Sequence, residues 1–287
     1  MAVDDKVIEI DGNKKLDIFS DTHGNLKGLD LLPEGNEFVR IYLGDIFDKS
    51  AETAQKMIDY LVEIEAICSL GDHDEALIDD SKINRWREKA EMLRENNRCK
   101  NADLLEKFCN EALTVRRGMK KEYLDFVDKL PKQLTLNYNG KIIKITHSAL
   151  SKIFVKDSYM KDRIVTKGSA AANFERNEFD ILLVGHSHTP IMYKTENKNG
   201  GVGLIEETIF FNDQTKDISE GRYIISVGSL GDGEWSLRGY PKYNLATKPF
   251  DSDYRETYGV IQSKPNKGLI FSMVFSKYDS SRDYEVE

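Results

Sequence analysis

The chain has 287 residues, 40% of them apolar and 31% charged, with a formal net charge of −8. That profile fits a soluble globular chain long enough for a substantial core. It argues against a sequence-independent nucleic-acid binder, which must meet phosphates with basic patches. No run approaches the roughly 18 apolar residues of a membrane span, and the N-terminal stretch lacks the apolar core of a signal peptide. Cys68, Cys99 and Cys109 form no C-x-x-C pair, so neither a disulfide framework nor a structural zinc site is expected. Cys68, in EAICSL, reads as a core thiol, and the compartment as reducing and cytoplasmic.

β-type runs come first at 7–10, 15–21, 38–45 and 65–72. The stretch 135–148 follows, with Asn139-Gly140 at its centre as a hairpin signal. Further runs occupy 179–187, 206–213, 222–229, 258–263 and 268–275. Helical spacing fills 51–62, where Ser50 suits an N-cap, then 83–98, 102–115, 121–130 (stopped by Pro131) and 169–177. The first third alternates strand and helix, and the last third is mostly strand. Nothing marks a repeat or a linker; NKNGG at 197–201 reads as a turn. A single domain over 1–287 is expected, with a helical insert at about 81–129 beside the sheets.

All five histidines, His23, His73, His147, His186 and His188, follow β-type runs directly or within one or two residues. Asp21, Asp45, Asp48, Asp72 and Asp74 lie at the same kind of position. Strand ends along one edge of an α/β sheet converge on a shared crevice, so these groups are expected on one rim. Imidazole and carboxylate without thiolate suit Mn²⁺, Fe, Zn²⁺ or Ni²⁺ better than Ca²⁺ or Mg²⁺ alone. Asp21, His23, Asp45, Asp72, His147, His186 and His188 are too many for one ion with an open position. They suffice for two ions sharing a carboxylate.

The ordered elements D-x-H (Asp21, His23), G-D-x-x-D (Gly44, Asp45, Asp48), G-D-H-D (Gly71 to Asp74), a separate His147 and G-H-x-H (Gly185, His186, His188) resemble the calcineurin-like metallophosphoesterases. The resemblance runs from about Leu16 to Gly231. It implies a four-layer α/β/β/α sandwich. It also implies hydrolysis of phosphate esters by a metal-bridging hydroxide held by two divalent ions, Mn²⁺ foremost. Asp21, His23 and His188 would hold one ion, Asp72, His147 and His186 the other, and Asp45 both. His73 would contact phosphate or protonate the leaving oxygen, oriented by Asp74, with Asp48 and Ser20 as supports. YLDFVDKLPKQL is similar to bacterial serine/threonine phosphatases and favours monoesters. ISVGSLGD and G-H-x-H are closer to small phosphodiesterases. The substrate expected is a phosphorylated small molecule, nucleotide or phosphoprotein. A phosphodiesterase, a dinucleoside polyphosphate hydrolase or a metal-poor scaffold of the same fold are the alternatives.

Two motifs depart from the family pattern. Asp72 stands where asparagine is usual, which adds a charge that tightens a cation, lowers its Lewis acidity and repels phosphate. Lys49-Ser50 replaces Arg-Gly, and Lys49 reads as a solvated residue, since lysine lacks the arginine fork. Arg85, Arg87, Arg116 and Arg117 could grip phosphate but read as solvated helix faces beside Glu88, Glu91 and Glu95. Trp86 and Trp235 read as packing residues rather than stacking platforms. SVGSLGDG (226–233) lacks a Gly-Lys-Ser/Thr ending, so it is no P-loop but a tight turn lining the rim.

Overall fold

A computed structural model describes residues 7–47, 50–151, 166–198, 201–210, 213–230, 254–265 and 268–277. Asp48, Lys49 and Trp235 lie outside the described residues. The strands are β1 (Val7–Ile10), β2 (Lys15–Phe19), β3 (Phe38–Tyr42), β4 (Ile67–Cys68), β5 (Gln133–Tyr138), β6 (Lys141–Thr146), β7 (Ile181–Val184), β8 (Pro190–Thr195), β9 (Asn197–Lys198), β10 (Gly201–Val202), β11 (Glu206–Ile209), β12 (Gln214–Asp217), β13 (Arg222–Val227), β14 (Tyr254–Ser263) and β15 (Leu269–Lys277). The helices are α1 (Ala51–Glu63), α2 (Asp72–Ile78), α3 (Asp80–Glu95), α4 (Cys99–Gly118), α5 (Lys121–Asp128) and α6 (Lys167–Arg176).

Two mixed sheets carry the fold. One runs β12-β15-β14-β2-β3-β4 and the other β1-β5-β6-β7-β13-β8-β11. Alternation along each strand decides which residues meet. Leu16, Ile18, Ile41 and Leu43 turn inward from the first sheet onto Ile143, Ile145, Ile181, Leu183 and Ile225 of the second. Phe19 and Tyr42 face the other way, into a layer built from α1, α2, α4 and α5. Leu182, Val184 and Ile224 face outward from the second sheet onto Phe174 of α6. The result is the four-layer α/β/β/α sandwich. Each fully buried Leu or Ile contributes about 1.5–3 kcal/mol of transfer free energy, and this double-sided burial makes the central strands almost continuously apolar.

Local chemistry sets the joints. Asn139 and Gly140 have φ of 54° and 75°, the left-handed pair that a two-residue hairpin between β5 and β6 requires. Ser50 caps α1 by accepting from the Thr53 N–H. On the helical face of the first sheet, Arg40 lies directly across from Asp17, with Nη1 2.6 Å from Oδ2. Burial raises the Asp17 carboxyl to about 7 even though Arg40 works against it.

The helical stretch runs from Asp72 to Asp128. Ile83, Cys109, Ala112 and Val115 anchor α3 and α4 in the helix-side core, while Ala90, Leu93, Ala102 and Leu105 pack the two helices together farther out. Arg94 pins their tips by donating to Glu106 (2.5 Å) and Asp103 (3.0 Å). Among the described residues no helix is long and apolar enough to cross a membrane.

Candidate metal centre

The pairs β2/β3, β3/β4, β6/β7 and β7/β13 are all parallel. Their carboxyl ends therefore line up, and the chain leaves each end straight into a polar turn. β2 delivers Asp21 and His23, β3 Asp45, β4 Asp72, β6 His147, and β7 His186 and His188. β13 delivers Ser229, whose hydroxyl donates to the Asp21 carbonyl (2.7 Å), and Leu230, whose N–H donates to the Ser20 carbonyl (3.0 Å). Residues 231–233 of that turn lie outside the described residues.

Seven of these side chains converge into two groups that could each hold a metal ion. Asp21, His23, Asp45 and His188 form one; Asp45, Asp72, His147 and His186 form the other. In each group one nitrogen or oxygen per residue lies within 4.8 Å of all the rest. In the first, His188 Nε2 is 3.2 Å from Asp21 Oδ1, and His23 Nε2 is 3.9 Å from Asp45 Oδ2. In the second, His147 Nε2 is 3.2 Å from Asp45 Oδ2 and 3.3 Å from Asp72 Oδ1. His186 Nδ1 is 3.0 Å from that same Asp72 oxygen.

The backbone at these positions is unusual. Asp21, His23, Asp45, His186 and His188 all have φ between 45° and 64°. Left-handed φ in a non-glycine residue is uncommon and costs of order 1–3 kcal/mol, so it persists only where the surroundings enforce it. Here they do. Both oxygens of the Asp21 carboxylate accept from the His186 N–H (3.1 Å each), and the Ser20 hydroxyl donates to Oδ2. Backbone bonds join Asp21 to Gly44 (2.9 Å), His23 to Asp45 (3.2 Å) and Gly185 to His147 (3.0 Å). Gly185 is required by close approach: a Cβ there would sit 2.8 Å from Asp21 Oδ2 and 3.1 Å from His147 Nδ1.

The donor set fits divalent ions. His23 and His188 turn their Nε2 atoms on each other at 3.1 Å, while both Nδ1 atoms are buried without a hydrogen-bond partner. One Nε2–H can donate to the other Nε2 there, and a cation in the group would instead take a lone pair from each ring. Burial and the nearby His188 lower His23 to about 4, so its ring is neutral at pH 7 and can ligate. Burial would raise Asp45 and Asp72, but the surrounding imidazoles outweigh it and hold both well below the usual carboxylate range. His147 gives its Nδ1 to the Leu43 carbonyl (2.8 Å), which leaves Nε2 turned into the second group.

His73 stands beside the first group. Its N–H donates to Asp45 Oδ1 (3.0 Å), and its ring lies 5.1 Å from that of His23. Phe108, Trp86 and Phe47 meet it edge-on at 4.9, 5.7 and 6.3 Å. Trp86 thus packs at the rim. The Asp74 carboxylate is fully buried and accepts from the backbone N–H groups of Asp45 (2.9 Å), Ile46 (2.8 Å) and Gly71 (3.1 Å). Both of its oxygens are thereby committed to the backbone, tying the β3 turn to the start of α2. Arg85 pairs with Asp79 (3.7 Å) and Glu75 (4.0 Å), and Arg116 bonds Asp80 (2.5 Å) and the Ala76 carbonyl (2.8 Å). Lys82, which sequence reading does not single out, lies 3.7 Å from Asp72 Oδ2. Its only prior signal is a charge on an amphipathic helix.

A profile of calcineurin-like phosphoesterases matches residues 14–190. An uncharacterized protein of Methanocaldococcus jannaschii is 21% identical over 272 residues, covering 93% of this chain and 89% of its own. A metallophosphoesterase from Sphaerobacter thermophilus superposes with a TM-score of 0.59 at 19% identity, over 92% of this chain and 89% of its own. A hypothetical protein from Pyrococcus horikoshii OT3 does so with a TM-score of 0.48 at 13% identity, over 93% and 89%. The profile match spans more than half of the chain and contains every residue of both ligand groups, and the chain therefore belongs to the calcineurin-like phosphoesterase family.

Proposed function

We propose that the protein hydrolyses phosphate esters with two divalent metal ions, one held by Asp21, His23, Asp45 and His188 and the other by Asp45, Asp72, His147 and His186. The observation that carries this reading is the pair of four-residue groups sharing Asp45. Bound there, the ions would supply the positive charge that makes water nucleophilic near neutral pH and offsets the charge of the phosphate. Mn²⁺ is the first candidate, because imidazole and carboxylate donors without thiolate suit it, with Fe, Zn²⁺ and Ni²⁺ next.

The remaining work falls to this chain's own groups. His73, outside both ligand groups but against His23, would carry a proton to the leaving oxygen. Its aromatic neighbours limit the ring's freedom. Asp74 holds the Asp45 turn and the start of α2 in register, so that Asp45 and His73 keep their spacing. The fixed hydrogen-bond frame around Asp21 lets the donors meet the ions without reorganising.

The preferred substrate class is a phosphomonoester on a small molecule, nucleotide or phosphoprotein. The support is the phosphatase-like segment around Tyr123 to Leu134. Its Pro131 carbonyl accepts from the Leu70 N–H (2.9 Å), just ahead of the Asp72 turn. The unpaired cysteines, Cys99 exposed among them, support a reducing, cytoplasmic setting.

The test is hydrolysis of p-nitrophenyl phosphate against bis-p-nitrophenyl phosphate with Mn²⁺, with and without chelator. Chelator-sensitive cleavage with the monoester preferred is expected. Faster cleavage of the diester would move the reading to a phosphodiesterase. No cleavage and no retained metal would replace it with a scaffold of the same fold.

A further inference from the structure

Asp72 brings a third carboxylate, partly buried, to a centre that already holds Asp21 and Asp45. Its two oxygens have different surroundings. Oδ1 is turned into the second ligand group, 3.0 Å from His186 Nδ1 and 3.3 Å from His147 Nε2. Oδ2 is turned away from it, 3.7 Å from the ammonium of Lys82. That ammonium is not a free surface charge. Its side chain is 15% exposed, and it lies 3.2 Å from Glu75 Oε2 and 5.2 Å over the Trp86 ring. Glu75 is held in turn by Lys132 (2.6 Å). Lys82 is therefore fixed on three sides, with one side facing Asp72.

We propose that Lys82, from the helical insert, is the charge partner of Asp72: it holds the outer oxygen, so that the carboxylate meets the second ligand group through Oδ1 alone and with reduced donor charge. Two consequences follow from elementary electrostatics. A carboxylate tied by one oxygen to an ammonium does not readily clamp an ion with both, which keeps a coordination position open. A nearby unit of positive charge also lowers the electron donation of the carboxylate, so an ion bound there keeps more of its Lewis acidity. The added aspartate and the lysine are thus one device, and Lys82 is a positioning residue that acts through Asp72. The inference rests on the two-ion reading above.

The experiment is Mn²⁺ titration by isothermal calorimetry of the full chain, the Lys82→Met and Lys82→Arg variants, Asp72→Asn, and Lys82→Met combined with Asp72→Asn. Methionine keeps a long stem against Trp86 and removes the charge. Tighter binding of one of the two ions by about tenfold is expected for Lys82→Met, the scale on which a partly screened unit charge acts at this range. Lys82→Arg keeps the unaltered constants, and in the Asp72→Asn background the shift from Lys82→Met shrinks to what direct repulsion between ammonium and ion supplies. Unchanged constants in Lys82→Met, or an equal shift in the Asp72→Asn background, overturn the pairing while leaving the two-ion reading in place. Failure of the unaltered chain to take up Mn²⁺ overturns both. If Lys82→Met does not fold, Lys82→Gln is judged by the same outcomes.

Discussion

Asp74→Asn tests whether the buried carboxylate next to His73 serves the backbone or the histidine. In the native arrangement Oδ1 accepts from Ile46, and Oδ2 accepts from Asp45 and Gly71. An asparagine offers one acceptor oxygen and one NH₂. Placed to keep the Asp45 and Gly71 bonds, its NH₂ faces the Ile46 N–H, donor against donor. A buried N–H left without an acceptor costs about 1–3 kcal/mol, and the two surviving bonds lose their charge assistance. A credit runs the other way. Burial and the nearby charge of Asp45 have raised the Asp74 carboxyl to about 7, so a neutral side chain escapes part of an existing penalty. The net expectation is a loss of about 2 kcal/mol, or roughly 4 °C in Tm for a chain of this length. Urea denaturation of chelator-treated protein measures it, and a double-mutant cycle with His73→Ala apportions it. Full stability in Asp74→Asn, or a coupling energy with His73 above about 0.5 kcal/mol, would refute the assignment to the backbone and return the carboxylate to the imidazole.

Arg40→Met leaves Asp17 buried without its partner and should cost about 3 kcal/mol at pH 8, read by urea denaturation. The sign of its pH dependence follows from the raised Asp17 carboxyl, about 7 when folded against 3.8. Arg40 holds that value down, so without it the folded carboxyl rises further and the variant takes up its proton at higher pH than the unaltered chain. The deficit therefore shrinks as pH falls towards about 7 and is level below it, and a deficit that does not change above pH 7 would contradict the reasoning. Burial pulls His147 down, but Asp45 and Asp72 outweigh it and hold the ring well above its ordinary value. A cation must therefore displace a proton, so Mn²⁺ affinity rises with pH. Calorimetry in two buffers of different ionisation enthalpy should report proton release; heats independent of buffer would exclude it.

Much of this was legible in the chain because parallel strands end polar. The apolar runs before Asp21, Asp45, His147 and His186 are clean signals, and a polar group placed just beyond each run can only lie on the common edge. Asp72, His73 and Asp74 are harder to read. They look like the end of a strand, yet β4 is only two residues long and these three form the first turn of α2. The strand at Pro190–Thr195 is hidden by its leading proline, tolerated because it is the first strand residue. β12, QTKD, has no apolar periodicity at all and is held by its pairing with β15. The left-handed φ values at aspartate and histidine carry no glycine to announce them. The partners of Asp74 and Lys82 are tertiary facts: one carboxylate reaches backbone N–H groups of a distant turn, and one lysine of an amphipathic helix happens to face inward.

Each ligand group draws from both sheets. Asp21, His23, Asp45 and Asp72 leave the first sheet, while His147, His186 and His188 leave the second. An ion in either group is therefore a rivet through the sandwich, fastening two sheets that otherwise meet through apolar contact and hydrogen bonds at the rim. Because the unfolded chain does not keep these groups assembled, ion binding and folding are linked by mass action. The concentration of free metal around the protein then becomes one of the variables that set how firmly its two halves hold together.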